Sequence, residues 1–179
     1  SSRTSIPKMK LPDQVKADQV VAGDLEAICQ DLKDEFGAMA GRRLMIAGGA
    51  GFLGYYLVQS ALHWNRTRAG AAPIHVTVLD SFIRGMPAWL TALGEDRNLT
   101  LIRHDVTVAL PLEIGHQDYL IHAASIASPI YYRKYPIETM DANISGLRYM
   151  LDYGQRQREL GTPIAGMLFY SSSEIYGDP

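Results

Sequence analysis

Residues 44–54 read Leu44-Met-Ile-Ala-Gly-Gly-Ala-Gly-Phe-Leu-Gly54, an apolar run that empties into glycines and then into a helical pattern. Leu44, Met45, Ile46 and Ala47 predict a buried strand, and Gly48, Gly49 and Gly51 allow a tight turn whose backbone can approach a diphosphate closely. Gly54 lets the following helix, expected over residues 55–64, pack on the strand with its unpaired N–H groups aimed at the phosphates. The spacing satisfies G-x-x-G-x-x-G through Gly48, Gly51 and Gly54, and G-x-G-x-x-G through Gly49, Gly51 and Gly54. Glycine-rich turns also occur as plain structure, so the surroundings decide. A second strand is expected over residues 74–79, closed by Asp80. An acid in that place can accept hydrogen bonds from the adenosine ribose hydroxyls, and the whole succession points to a dinucleotide site.

Further along, residues 86–93 behind Pro87 read as a short helix, 99–103 as a third strand and 118–122 as a fourth. A long helix is expected over 136–158 and a fifth strand over 164–171. Strands alternating with helices predict an α/β fold, a Rossmann-type doubly wound parallel sheet, and right-handed crossovers give it the order 3-2-1-4-5. Upstream, the opening residues carry Pro7, Pro12 and several charges and read as an arm. Val21, Leu25, Ile28, Leu32 and Phe36 then recur at three- and four-residue steps as one helical stripe, ended by Gly37 and Gly41. The chain is thus expected to divide into an arm with an amphipathic helix over residues 1–41 and a nucleotide-binding domain over 42–179. That helix either packs on the edge of the same domain or contacts a partner subunit.

Composition sets ordinary bounds. The 179 residues suffice for one domain, or one and an incomplete second, and 47% hydrophobic with 20% charged residues describe a soluble globular protein. A net charge of −2 gives no electrostatic case for nucleic acid or an anionic membrane, and no apolar stretch approaches a span of about 18 residues. The first ten residues lack the apolar centre of a secretion signal, and the single cysteine, Cys29, falls in a helical pattern as a small core residue. A reducing cytoplasm fits. The five histidines show no metal-ligand spacing.

Ligands in such sheets lie outside the carboxyl ends of the strands, which here means Asp80, Asp105, residues 122–125 and residues 171–174. Asp105 and Val106 either hold an adenine edge or start a turn. Ala123 and Ala124 permit close approach of a flat cofactor, or pack a helix. Ser172, Ser173 and Glu174 offer a hydroxyl for a substrate alcohol and a carboxylate as general base or water holder; alternatively they cap a helix.

At these residues the sequence resembles a known family, the extended short-chain dehydrogenases acting on nucleotide sugars (NAD-dependent epimerases and dehydratases). Three blocks carry the likeness: Gly48-Gly-Ala-Gly-Phe-Leu-Gly54 with Asp80; His122-Ala-Ala-Ser-Ile-Ala-Ser-Pro129 continuing through Tyr132, Pro136, Asn143 and Gly146; and Tyr170-Ser-Ser-Ser-Glu-Ile-Tyr-Gly-Asp-Pro179. The second and third look closest to the UDP-glucuronate decarboxylases (UDP-xylose synthases). The resemblance implies NAD as cofactor, with Gly48, Gly51, Phe52, Leu53 and Gly54 at the pyrophosphate. Asp80, Ser81, Phe82 and Gly85 would follow around the ribose, Asp105 and Val106 at adenine, and Ala123, Ala124 and Ser125 along the nicotinamide side. Ser172 takes the catalytic serine or threonine position, followed by Ser173 and Glu174, and Tyr132 with Glu174 would meet a UDP-sugar. The parent is expected to be a cytoplasmic homodimer with no nucleic-acid or membrane partner.

Departures qualify the exact reaction. Ala47 replaces a common threonine, Ile126 replaces the proline of the decarboxylase signature, and Arg84 stands where a small hydroxyl residue is usual. Arg84 is able to accept an NADP 2′-phosphate, which Asp80 would repel, so NAD is the expectation. Ser173-Glu174 differs from the Asp-Glu pair of dTDP-glucose dehydratases and is compatible with GDP-mannose-type dehydratases. The family's Tyr-x-x-x-Lys pair is missing: four residues before Lys8, Lys10, Lys16, Lys33 and Lys134 stand Thr4, Ile6, Pro12, Cys29 and Ile130. The expectation is therefore the NAD-binding N-terminal part of a longer enzyme, without its last strands and substrate domain and inactive alone. That enzyme oxidises a sugar hydroxyl with NAD and then decarboxylates, epimerises or dehydrates. The reading of another class is a non-catalytic NAD-binding module.

Overall fold

The computed structural model describes residues 12–68, 70–111 and 114–177, with the backbone alone at 12–15, 173 and 174. The arm expected before Pro12, and Asp178 and Pro179 of the third block, lie outside those residues. The short apolar runs form strands β1 (Arg43–Ala47), β2 (His75–Asp80), β3 (Leu99–Arg103), β4 (Tyr119–His122) and β5 (Gly166–Phe169). All are parallel, in the expected order β3-β2-β1-β4-β5. The fifth strand is shorter than its apolar run because pairing with β4 covers only Tyr119–His122.

Helices α1 (Pro12–Asp31), α2 (Lys33–Met39), α3 (Phe52–Thr67), α4 (Ala88–Ala92), α5 (Pro129–Lys134) and α6 (Pro136–Glu159) complete the described elements, with a 3-10 turn over Ser173–Tyr176. Alternation along β1 divides the interior. Leu44 and Ile46 join Val58 and Leu62 of α3 on one face of the sheet; Met45 and Ala47 join Met150 and Tyr153 of α6 on the other. Gly54, Val58, Ala61 and Leu62 are the buried seam of α3, at the spacing of one helical face.

The N-terminal stripe departs from expectation at one residue. The helix breaks at Leu32, whose side chain is 44% exposed, and restarts as α2. Phe36 lies inward, as the stripe predicts, and stacks on Trp64 with ring centroids 5.4 Å apart. Cys29, fully buried with its thiol donating to the Ser60 carbonyl at 3.4 Å, takes the place that spacing assigned to Leu32. Burial pushes the Cys29 thiol pKa up. Gly41, at φ +72°, turns the chain from α2 into β1. Leu25, Cys29 and Phe36 thus put this region against α3, within the same body as the sheet.

At the amino end of the sheet, Asp118 ties β4 to β1. Its Oδ2 accepts the Arg43 N–H at 2.8 Å, and its Oδ1 accepts from Arg42 Nη1 at 3.0 Å and lies 3.3 Å from His116 Nε2. Burial pushes the carboxyl pKa up, but the Arg43 N–H, the Arg42 guanidinium and His116 outweigh it and hold the group below the usual carboxylate range.

Two outcomes follow from this packing. Leu25→Ala should cost about 2–5 kcal/mol in denaturant unfolding, whereas Leu32→Ala should stay within about 0.5 kcal/mol of the parent. The stabilisation from Asp118 is whole above about pH 4 and lost as pH falls through its depressed folded value. Asp118→Asn should therefore unfold more easily at neutral pH and show a flatter acid limb when melting temperature is followed from pH 7 downward.

Candidate functional site

The site forms where β1 ends between β2 and β4, the point at which strand order reverses. Gly48 adopts φ +79° there and donates its N–H to the Leu79 carbonyl at 2.7 Å. A Cβ on Gly48 would lie 2.6 Å from both the backbone N and Cα of Ala124. One on Gly49 would lie 2.8 Å from Val78 Cγ1, and one on Gly54 would collide with the Gly49 carbonyl. These three glycines are demanded by packing. Gly51 differs: its N–H bonds the Gly48 carbonyl at 3.0 Å while its own carbonyl accepts the Tyr55 N–H at 3.1 Å, which starts α3. No side chain caps that helix start and no acidic residue stands in its first turn. The first-turn N–H groups and the positive end of the helix dipole are left for an anion, so the residues present fit a diphosphate.

Asp80 is tied into this turn. Its Oδ2 accepts the Ala50 N–H at 3.1 Å and its Oδ1 accepts the Phe82 N–H at 2.9 Å. Each oxygen keeps a further acceptor position for a hydroxyl. Ser81 is exposed, and its carbonyl accepts from Arg103 at 2.8 Å. Phe82 follows in the same loop. Its ring lies in the core at 6% exposure, beneath the Arg103 guanidinium 5.4 Å away, and its N–H is bonded to Asp80. A φ of +49° at Phe82 and +85° at Gly85 folds the loop back, leaving Ile83 and Arg84 outside.

On the other flank, the Ala123 N–H donates to the Ala47 carbonyl at 2.8 Å, and Ala124 faces Gly48. The Ser125 hydroxyl accepts from Asn143 Nδ2 at 2.9 Å, joining the β4 end to α6. Asp105 is turned onto its own loop: Oδ1 accepts the Thr107 N–H at 2.9 Å and the Thr107 hydroxyl at 2.8 Å, the turn-starting alternative. Val106 is half-buried against Gly146.

Sequence reasoning missed the work of His122 and Gly146. His122 is 1% exposed, with its ring 5.3 Å from that of Phe169, and a Cβ on Gly146 would lie 2.6 Å from its Nε2. Gly146 therefore lets α6 close over the imidazole, and burial lowers the histidine pKa, keeping the ring neutral. The signal lay in the second block, where both residues stand.

The chain returns to the site after β5, as the Tyr170 N–H donates to the His122 carbonyl at 3.0 Å. Ser172 is exposed, and its carbonyl accepts the Ile175 N–H at 3.4 Å as the 3-10 turn opens. The side chains of Ser173 and Glu174 lie outside the described residues. Tyr132 is half-buried on α5, one helix beyond the β4 end. Gly48–Gly54, Asp80, Ala123 and Ala124 are thus gathered around one strand end, and Ser172 follows the segment bonded to the next. Among the described residues no cluster of histidine, cysteine, aspartate or glutamate could hold a metal ion, and no helix is long and apolar enough to cross a membrane.

The chain is 35% identical over 137 residues to UDP-glucuronic acid decarboxylase 1 of Arabidopsis thaliana, covering 76% of this chain and 28% of that protein. It is 36% identical over 138 residues to UDP-glucuronic acid decarboxylase 1 of Danio rerio, covering 77% and 29%. It spans less than a third of the length of either relative. Among solved structures, a double mutant of DesIV, a dTDP-glucose 4,6-dehydratase from Streptomyces venezuelae with NAD bound, matches with a TM-score of 0.62 at 25% identity. That match covers 76% of this chain and 41% of DesIV. Residues 44–179, from the first strand through the 3-10 turn, match the family model, and the chain belongs to the NAD dependent epimerase/dehydratase family.

Proposed function

We propose that this chain is the NAD-holding N-terminal part of an enzyme that modifies a nucleotide sugar, acting most like a UDP-glucuronate decarboxylase. The observation that carries the reading is the turn at Gly48–Gly54, where Gly48, Gly49 and Gly54 leave no room for side chains and the helix start is uncapped, in a chain 35% identical over 137 residues to a decarboxylase. Gly48, Gly51, Phe52 and Leu53 would hold the pyrophosphate, and Asp80 would accept from the adenosine ribose. Asp80 also repels a 2′-phosphate, which favours NAD over NADP. Ser81 and Gly85 would border the ribose, Val106 the adenine, and Ala123, Ala124 and Ser125 the nicotinamide.

When bound, NAD supplies a hydride acceptor for a sugar hydroxyl. The chain's own residues do the rest of the work available to it. Ser172 would hydrogen-bond the sugar alcohol, Glu174 would take a proton or hold a water, and Tyr132 would stand beside the sugar nucleotide. The proton released as the alcohol is oxidised needs an acceptor, a role the family gives to a Tyr-x-x-x-Lys pair this sequence lacks.

Epimerisation and 4,6-dehydration are the second reading. Ile126 in place of the decarboxylase proline and the likeness to DesIV favour keeping it. A non-catalytic NAD-binding module is the alternative of another class; a longer parent without Tyr-x-x-x-Lys would favour it. The proposed assembly is a homodimer, supported by Ile137, Met140, Ile144 and Leu151, which lie exposed along one side of α6. The proposed setting is cytoplasmic, consistent with the free, buried Cys29.

Titration of the chain with both cofactors should show NAD bound at least about tenfold more tightly than NADP, and Gly51→Trp should abolish binding by filling the phosphate space. Equal or tighter NADP binding would mean that Arg84 governs the ribose pocket. Incubated with NAD and UDP-glucuronate, this chain should release no carbon dioxide and give no transient NADH absorbance. A longer protein carrying it should form product, and Ser172→Ala or Glu174→Gln there should lose much of that activity while still binding NAD. A longer protein active on UDP-glucose and inert with UDP-glucuronate would move the assignment to epimerase.

A further inference from the structure

A groove of about 540 Å³ runs beside the glycine turn, walled by Val21 of α1, by Gly51, Phe52 and Tyr56, and across from them by Arg84 and Trp89. One wall comes from outside the family match, because α1 precedes residue 44. Yet α1 meets α3 in a fixed order. Asp24 accepts the Tyr56 hydroxyl hydrogen at 2.7 Å, Cys29 meets Ser60 and Gln30 meets Arg68. Both sets of numbers rise together, so the two helices run side by side in the same direction. The start of α1 therefore lies at the carboxyl end of the sheet, with the glycine turn.

The first turn of α3 is packed through Gly54 on Gly49 and Tyr55 on Trp89, but its amino end is lightly held. Its N-cap is Gly51, no side chain caps it, and Phe52 and Leu53 are 88% and 42% exposed. Tyr56, one turn further on, is the first α3 residue hydrogen-bonded to another helix. The bond to Asp24 raises the phenol pKa, so the hydroxyl remains a donor.

We propose that α1 is a wall and brace of the cofactor site: Val21 bounds its outer side near Arg84, and the Asp24–Tyr56 bond holds the first turn of α3 in the geometry that receives the phosphates. This inference rests on the reading of the turn as an NAD site. Asp24 and Tyr56 are positioning residues, acting through the N–H groups of residues 52 and 53. With the bond lost, that turn frays in the free protein, and NAD must spend binding energy to order it.

Calorimetric titration of the full chain with NAD, alongside the melting temperature of the free protein, tests the brace. Tyr56→Phe and Asp24→Ala should each weaken NAD binding roughly three- to tenfold, the worth of one hydrogen bond. Asp24→Asn, which keeps a carbonyl acceptor, should restore affinity to within about twofold of the parent. Glu26→Gln, on the same helix but facing His63 and Arg68, should leave affinity unchanged whatever it does to melting. Tyr56→Phe binding as tightly as the parent, or Glu26→Gln losing as much, would overturn the brace. A parent that binds no NAD would instead overturn the cofactor reading itself.

Discussion

The end of β1 leaves no room for a side chain, and the rest of the site is arranged around that fact. Gly48 lies against the backbone of Ala124, Gly49 against Val78, and Gly54 against Gly49. These contacts bring β2, β4 and α3 to one point, so Asp80, the β4 residues and the helix N-terminus converge without any long side chain reaching across. Conformational cost is carried by backbone designed to bear it, since a positive φ at Gly48 is free of the Cβ clash other residues would meet.

The sheet itself was legible because its signals are local. Buried strands bounded by turns and helices at 3.6-residue period need only short-range pattern, and right-handed crossover fixes their order. What escaped were features decided by phase and by distant neighbours. Leu32 kept the stripe's spacing, but the helix breaks there and it is left 44% exposed, while Cys29 and Phe36 are buried. Phe82 stands one residue after Ser81 in a loop, yet a left-handed backbone at Phe82 itself turns its ring into the core. His122 with Gly146 is a contact across 24 positions, invisible to any window of sequence.

The two ends of the sheet are secured by carboxylates in comparable ways. Asp118 binds the backbone of β1 at its start, and Asp80 binds the backbone of the turn beyond its end. Of these two carboxylates, Asp118 has an arginine and a histidine within ion-pair distance, while Asp80 is bonded by backbone N–H groups. The end at the glycine turn relies on N–H donors, whose direction is fixed by the fold. That difference suits an anion-receiving surface, where a strong fixed ion pair would compete with the ligand.

Asp80 also sets a limit on redesign. Its two oxygens are anchors for Ala50 and Phe82 as well as prospective partners of a sugar hydroxyl. Exchanging it for a neutral or basic residue to admit a different dinucleotide would release the glycine turn at the same moment that it reshaped the proposed ribose pocket. Under the proposed reading, cofactor preference and loop rigidity rest on one side chain, and a successful switch has to replace the two acceptors that Asp80 offers to the Ala50 and Phe82 N–H groups before it adds a new charge.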